Sequence, residues 1–168
     1  AHPLFPIARP DHRREGMDIE LETGVTREGR IVARRGRRVL DKGAYTGEGG
    51  FFAQMAAMHA CGPYVIETVN VEALLTYSTN QPSSSIRAPT APQACWAVEQ
   101  HMDELAAALE MDPAELRRRN VLRTGDAMAT GQVLREDLDL AGLMERALTE
   151  VEYDARRAAA AEYLQREF

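Results

Sequence analysis

The stretch best suited to chemistry is Pro82-Ser83-Ser84-Ser85-Ile86-Arg87-Ala88-Pro89-Thr90-Ala91-Pro92-Gln93. It joins a predicted strand to the start of a predicted helix, where free backbone N–H groups and the helix dipole favour an anionic ligand. Arg87 adds a permanent positive charge and a bidentate donor. The small residues around it let a flat or bulky group come close to the backbone. An ordinary helix-capping loop accounts for the same residues equally well, and both readings stay open at this point.

Other reactive side chains point to less. Of the four histidines, no two stand at metal-ligand spacing. His12 lies in a basic lead-in, and His59 and His101 fall on predicted helices as structural residues. Cys61 and Cys95 lie far apart and fit neither a disulfide framework nor a zinc or iron–sulfur spacing, so reduced thiols are expected. No His-x-x-x-His, Cys-x-x-Cys or Gly-x-Ser-x-Gly motif is present. The glycine-rich run Gly43 to Gly50 lacks the Lys-Ser/Thr ending of a phosphate loop and follows no parallel-strand unit.

The elements that must position these residues read as an α+β domain. Residues 1–16 form an extended, Pro- and Arg-rich lead-in. From Met17 the chain alternates: Met17, Ile19 and Leu21 point one way, Asp18, Glu20 and Glu22 the other. Thr26 to Arg30 is a turn around Gly29, and Ile31 to Leu40 returns as a second strand of an antiparallel hairpin. Its Arg34, Arg35, Arg37 and Arg38 are expected to pair with the acidic face of the first strand. Phe51 to Ala60 is apolar at helical spacing and ends at Gly62-Pro63. Val65 to Thr79 reads as a long strand. A helix follows, with Pro92 in its first turn and Cys95, Val98, Met102, Leu105 and Leu109 as its buried stripe. Asp112-Pro113-Ala114-Glu115 opens a short helix with a cap, a first-turn proline and a capping-box acid, ending near Asn120. Two more helices are expected at about 139–150 and 153–167.

Composition bounds the function. The 168 residues suit one domain; 45% are hydrophobic, 27% are charged and the net charge is −6. Nucleic-acid binding is not expected from that balance, and the short Arg clusters read as solvated or ion-paired faces. No stretch approaches the ~20 apolar residues of a membrane span, and Ala1 to Pro10, with three prolines, shows no signal-peptide core. A cytoplasmic location is the expectation. The start at Ala1-His2-Pro3 reads as that of a processed, truncated or excised segment.

An ordered series of motifs then becomes recognisable. Gly43-Ala44-Tyr45-Thr46-Gly47 after a hairpin resembles the "DxGAYTG" stretch of the molybdopterin-binding subunits of the xanthine dehydrogenase/aldehyde oxidase family. Gly62-Pro63-Tyr64-Val65-Ile66, Asn80-Gln81-Pro82-Ser83, Arg87 with Ala91-Pro92-Gln93, and Met102-Asp103-Glu104-Leu105 resemble it in the same order. So do Met111 to Asn120, Gly125-Asp126 and Thr130-Gly131-Gln132. The resemblance covers most of residues 17–150, an internal piece of the cofactor-binding domain, with 151–168 as a terminal helix of the fragment.

The resemblance implies a molybdenum hydroxylase that oxidises an aldehyde or N-heterocycle with water-derived oxygen and passes electrons through [2Fe–2S] clusters to FAD. It implies a molybdenum–pyranopterin cofactor shared with the remainder of the subunit, and iron–sulfur and FAD domains or subunits as partners. The family's "GGFGGK" loop and base Glu have no counterpart here, so one wall of an active site is expected and the isolated fragment is expected to be inactive. Ile86, Arg87 and Ala88 correspond to the segment beside the molybdenum centre. Met55 falls where purine-oxidising members carry a substrate-binding Arg. The family's usual segment reads "FRGFG"; here it is Ile86-Arg87-Ala88-Pro89-Thr90, so Pro89 takes the place of a Phe that stacks on substrate. Ala88 stands where carbon monoxide dehydrogenases place a copper-binding Cys, which sets a Mo–Cu site aside. Met55 and Pro89 together argue against a purine substrate. The alternative is a non-catalytic scaffold or subunit-interaction module from a truncated or split family member; a third reading is an unrelated anion-binding α+β domain.

Overall fold

The computed structural model describes residues 14–167; most of the expected lead-in, with His12, lies outside them. The element order is β1 (Gly16–Val25), β2 (Ile31–Asp41), α1 (Gly49–Met58) running into a single 3-10 turn (His59–Cys61), β3 (Thr68–Thr76), α2 (Ala91–Ala108), α3 (Pro113–Asn120), α4 (Leu140–Glu150) and α5 (Tyr153–Glu167). The α+β class and the hairpin stand as expected, and Gly29 takes a positive φ of 82° in the turn.

The sheet has the order β1-β2-β3. Strand β1 runs antiparallel to β2, but β3 runs parallel to it, so the sheet is mixed. Parallel neighbours need a crossover, and α1 supplies it. The expected strand over Val65 to Thr79 shortens to Thr68–Thr76 because its ends bond elsewhere. The Val65 amide donates to the Asn120 carbonyl at 2.8 Å and the Ser78 amide to the Gly43 carbonyl at 3.2 Å.

Strand β2 also departs from expectation. Arg35 pairs with Glu22 (2.7 Å), and Arg37 lies between Glu20 (3.8 Å) and Glu72 (3.4 Å), on an exposed face where such pairs add little stability. Arg34 and Arg38 instead point into the domain and are buried with Leu40. The rest of the core forms two apolar clusters. One gathers Ile31, Tyr64, Ile66, Val98, Met102 and Leu116; the other is Leu40, Phe52 and Ala56.

On α2 the buried stripe is Ala94, Val98, Met102 and Ala106, whereas Leu105 and Leu109 are half-buried and Cys95 is exposed. Alanines at both ends of the stripe let the helix lie close to its neighbours. Both cysteines are free thiols, Cys61 being buried. In α3, Asp112 caps as expected, its Oδ1 accepting from the Ala114 and Glu115 amides (2.8 and 3.1 Å). The Glu115 carboxylate, however, turns outward to Arg119 (2.7 Å). Among the described residues no helix is long and apolar enough to cross a membrane.

One buried side chain ties the hairpin to the helices. Asn120 Oδ1 accepts from the Ile31 amide (2.9 Å), and its Nδ2 donates to the Gly29 and Leu116 carbonyls (2.7 and 2.8 Å). Asn120→Ala removes three hydrogen bonds and strands the Ile31 amide and the Gly29 carbonyl, the Leu116 carbonyl keeping its place in the helix; at about 1 kcal/mol or more for each stranded group the expected loss is about 2 kcal/mol or more, to be read from the urea unfolding midpoint.

Candidate functional site

Because β2 and β3 are parallel, they finish together, with Asp41 opposite Thr76, and β1 begins there, with Gly16 opposite Asp41. Three segments therefore converge at one end of the sheet: Arg14-Glu15, the turn after Asp41, and the connection from β3 to α2. Their backbones are knitted together. The Ala44 amide donates to the Asn80 carbonyl (3.1 Å) and the Ser83 amide to the Lys42 carbonyl (3.0 Å). Asp41 accepts from the Ser78 hydroxyl (2.6 Å), the Asn80 side-chain amide (2.6 Å) and the Gly43 amide (3.0 Å). Gly43 is required here: its φ is 79°, and a Cβ would stand 2.6 Å from the Gln81 carbonyl oxygen.

Lys42 is buried beneath the connection. Its ammonium donates to the Ser83 carbonyl and lies 4.3 Å from the centre of the Phe52 ring. Burial pushes its pKa down, while the charges of Glu15 and Glu48 oppose that shift.

The residues expected at the site, Ile86 to Pro89, form a loop above this base with Arg87 and Ala88 exposed. The guanidinium of Arg14 clamps it, donating to the Arg87 carbonyl (3.1 Å) and the Ala88 carbonyl (3.0 Å). Ala88 and Thr90 both take left-handed backbone angles, φ 58° and 61°, a conformation that costs a non-glycine residue about 1 kcal/mol or more. Thr90 is fully buried, and its hydroxyl meets His59 Nδ1 at 3.3 Å, which holds the far end of the loop against α1. Burial, and then the charge of Arg38, push the His59 pKa down and favour its neutral ring. The Arg87 side chain projects outward and is unpaired among the described residues. Ile86 and Pro89 are half-buried.

Met55 lies on α1 one turn before His59 and is half-buried, with Phe51 and Met58 exposed on the same helix. No hydrogen bond or ring contact joins it to Ile86–Pro89. The start of α2 offers fewer free amides than expected. The Ala91 amide is turned back to the Pro89 carbonyl (2.7 Å), the Ala94 amide bonds the Thr90 carbonyl (3.0 Å), and Pro92 has none.

The polar atoms that stand ready are side-chain atoms. Gln81 Nε2, Ser83 Oγ, Gln93 Oε1 and Glu15 Oε1 are buried without a partner among the described residues, while Gln93 Nε2 donates to the Glu15 carbonyl (3.1 Å). An unpaired buried polar group costs about 1–3 kcal/mol, so several together on segments around one loop mark a place where a polar group belongs. Gln81, Ser83 and Gln93 stand within the sequence motifs, but nothing local assigns them a contact. Sequence reasoning misses Arg14 and Lys42 altogether, because their partners lie far away along the chain. Among the described residues no cluster of His, Cys, Asp and Glu is placed to hold a metal ion.

Residues 9–121 match the model of the molybdopterin cofactor-binding domain. The chain belongs to that family. Over 135 residues, 80% of its length, it is 37% identical to the nicotinate dehydrogenase large molybdopterin subunit of Eubacterium barkeri, of which it covers 32%. It is 30% identical over 146 residues to the xanthine dehydrogenase molybdenum-binding subunit of Escherichia coli O157:H7, a match that spans 86% of this chain and 19% of that one. The aldehyde oxidoreductase of Desulfovibrio gigas superposes with a TM-score of 0.79 at 28% identity, over 92% of this chain and 16% of that one. The chain thus spans about a third or less of these relatives. In the family's "FRGFG" pattern glycines stand at the positions of Ala88 and Thr90, the two residues that are left-handed here.

The unpaired donors and acceptors around the loop, with Arg87 free above it, fit an anionic cofactor rich in hydrogen-bonding atoms. The Arg14 clamp makes its own prediction. Arg14→Ala should speed amide hydrogen exchange in the 86–90 loop by about fivefold, the equivalent of about 1 kcal/mol, with exchange in β2 unchanged.

Proposed function

We propose that this chain forms one wall of the molybdenum–pyranopterin site in a molybdenum hydroxylase. The observation that carries this reading is the loop at the shared end of β2 and β3. Arg87 projects from it unpaired, Arg14 grips its carbonyls, and buried polar atoms of Gln81, Ser83 and Gln93 stand beside it without partners. The bound cofactor would supply transfer of a water-derived oxygen into a C–H bond of the substrate.

This chain's own part is to hold and orient. Arg87 donates charge-assisted hydrogen bonds to an anionic oxygen, its planar fork matching such an acceptor better than an ammonium does. Ile86 and Ala88 present their backbone, and the single methyl of Ala88 leaves room for close approach. Gln81 Nε2 and Ser83 Oγ supply further donors. Met55 and Pro89 line the substrate side without hydrogen-bond donors, which disfavours a purine and suits an aldehyde or an N-heterocycle. The relative acting on nicotinate supports the heterocycle. The remaining cofactor contacts and the general base belong to the rest of the subunit, and electrons leave through [2Fe–2S] clusters to FAD in neighbouring domains or subunits.

In the native complex, Arg87→Ala should lower molybdenum affinity or turnover by about thirtyfold through loss of a charge-assisted contact worth roughly 2 kcal/mol, with circular dichroism unchanged. Elemental analysis and dye-linked turnover read both quantities; unaltered occupancy and rate together would remove Arg87 from the cofactor wall. In a substrate screen of the same complex, nicotinate or an aldehyde should turn over and xanthine should not. Xanthine as the best substrate would reverse the assignment of Met55 and Pro89.

A further inference from the structure

Away from the loop, a groove runs between β1 and α2. Its floor is the inner face of β1, where Met17, Ile19 and Leu21 are half-buried. Its wall is α2, tied to the strand at two points. Gln93 Nε2 donates to the Glu15 carbonyl (3.1 Å), and His101 Nε2 meets the Thr23 hydroxyl at 2.9 Å. Between these ties lie two adjoining hollows of about 450 and 290 Å³ that share Ile19, Trp96 and Ala97. Trp96 is 69% exposed beside them. An apolar groove flanked by so large an exposed aromatic marks a contact surface.

The groove lies against the margin of the sheet. Among the described residues β1 pairs with β2 alone, so alternate residues of β1 turn their N–H and C=O groups away from the sheet. An extended segment laid along that margin would satisfy them, and its side chains would alternate. Those on the inner side would enter the groove beside Met17, Ile19 and Leu21. Those on the outer side would meet Asp18, Glu20 and Glu22. From within the sheet Glu20 faces Arg37 and Glu22 faces Arg35, but Asp18 has only Val39 opposite it. The groove and this acidic row together select an occupant that is apolar on one side and basic on the other.

We infer that the groove between β1 and α2 takes an extended β-strand of alternating apolar and Lys/Arg residues from the remainder of the same subunit. The chain covers only 32% of one relative and 16% of another, so the greater part of a subunit of this kind lies outside these residues. A strand tethered within that subunit meets the margin at high effective concentration. Residues 1–13 suit the place poorly, because Pro3, Pro6 and Pro10 cannot donate to a ladder. The inference rests on the chain's family and is independent of the cofactor wall.

In the native complex, a photo-crosslinking benzoylphenylalanine replaces Trp96, and the joined peptide is sequenced. It should come from the same subunit, outside the 168 residues, and should alternate apolar and basic residues. A peptide from within the 168 residues, whether from the leading segment or a second copy, overturns the proposal. So does a peptide from another subunit, one without the alternation, or no crosslink at all. A second measurement reads the charge. Asp18→Lys should lower the Tm of the complex by about 2 °C, because like charges would then meet across the added pair. On an uncovered margin a lysine beside Glu20 would leave Tm unchanged or raise it, and that result also overturns the proposal.

Discussion

The parallel pairing of β2 with β3 is the constraint on which the rest of this structure rests. A strand that returns parallel to its neighbour cannot do so through a tight turn, so the chain crosses over through α1 before β3 begins. Both strands then finish at one end of the sheet, and the antiparallel β1 starts there. Arg14, Lys42, Gly43 and the connection from Ser78 to Thr90 meet at that end although they are far apart in sequence. The carboxyl ends of parallel strands are a general location for ligand sites in open sheets, and here the hydrogen bonds among three segments make the location rigid. The turn after α1 serves the same end, since His59 reaches Thr90 and holds the loop from behind.

Strand β2 is also where the domain accepts unfavourable chemistry. It is the only strand paired on both sides among the described residues, so its backbone is satisfied, and the difficulty falls on its side chains. Arg34 and Arg38, and Lys42 just past the strand's end, all enter the interior. Lys42 is the best provided for, with a carbonyl oxygen and an aromatic face against its ammonium. Arg34 has neutral oxygens and a sulfur, and Arg38 has no acceptor among the described residues. The idealised cost of moving such an ion from water to a dry interior is of order 20 kcal/mol, several of which survive relaxation. Charges so placed give specificity or hold a ligand at the expense of stability, since an apolar strand would fill the same space more favourably.

Much of this architecture is legible in the sequence. Alternation in Met17 to Glu22 marks the hairpin, and the caps at Gly62-Pro63 and Asp112-Pro113 mark where helices stop and start. The direction of β3 is not legible, because a run of β-branched residues carries no sign of which way it pairs. Nor is the inner face of β2. In Arg34-Arg35-Gly36-Arg37-Arg38 each pair puts one arginine on either side of the strand, so period-two polarity cannot say which side is wet. The helical stripe that would place Cys95 in the core fits Ala94 better, as the small residue is the one that permits close packing. At the site, Arg87 and its neighbours come from the resemblance to the family. The left-handed angles of Ala88 and Thr90 fall where that family's pattern has glycine, so the unusual backbone is encoded there by the family pattern and not by these residue types. The grip of Arg14 on two carbonyls more than seventy positions away leaves no local trace at all.

Strand β1 lies at the margin of the sheet, with one row of backbone groups turned away from β2. Such a margin invites another chain to add a strand. The side chains that alternate outward along it are Asp18, Glu20 and Glu22, and only Glu20 and Glu22 have an arginine opposite them. Two copies meeting margin to margin would bring carboxylates against carboxylates across the new seam, an arrangement that like-charge repulsion penalises. The acidic alternation that first disclosed the strand therefore also guards it, and protects the domain from polymerising through its own sheet while it waits for a correct neighbour.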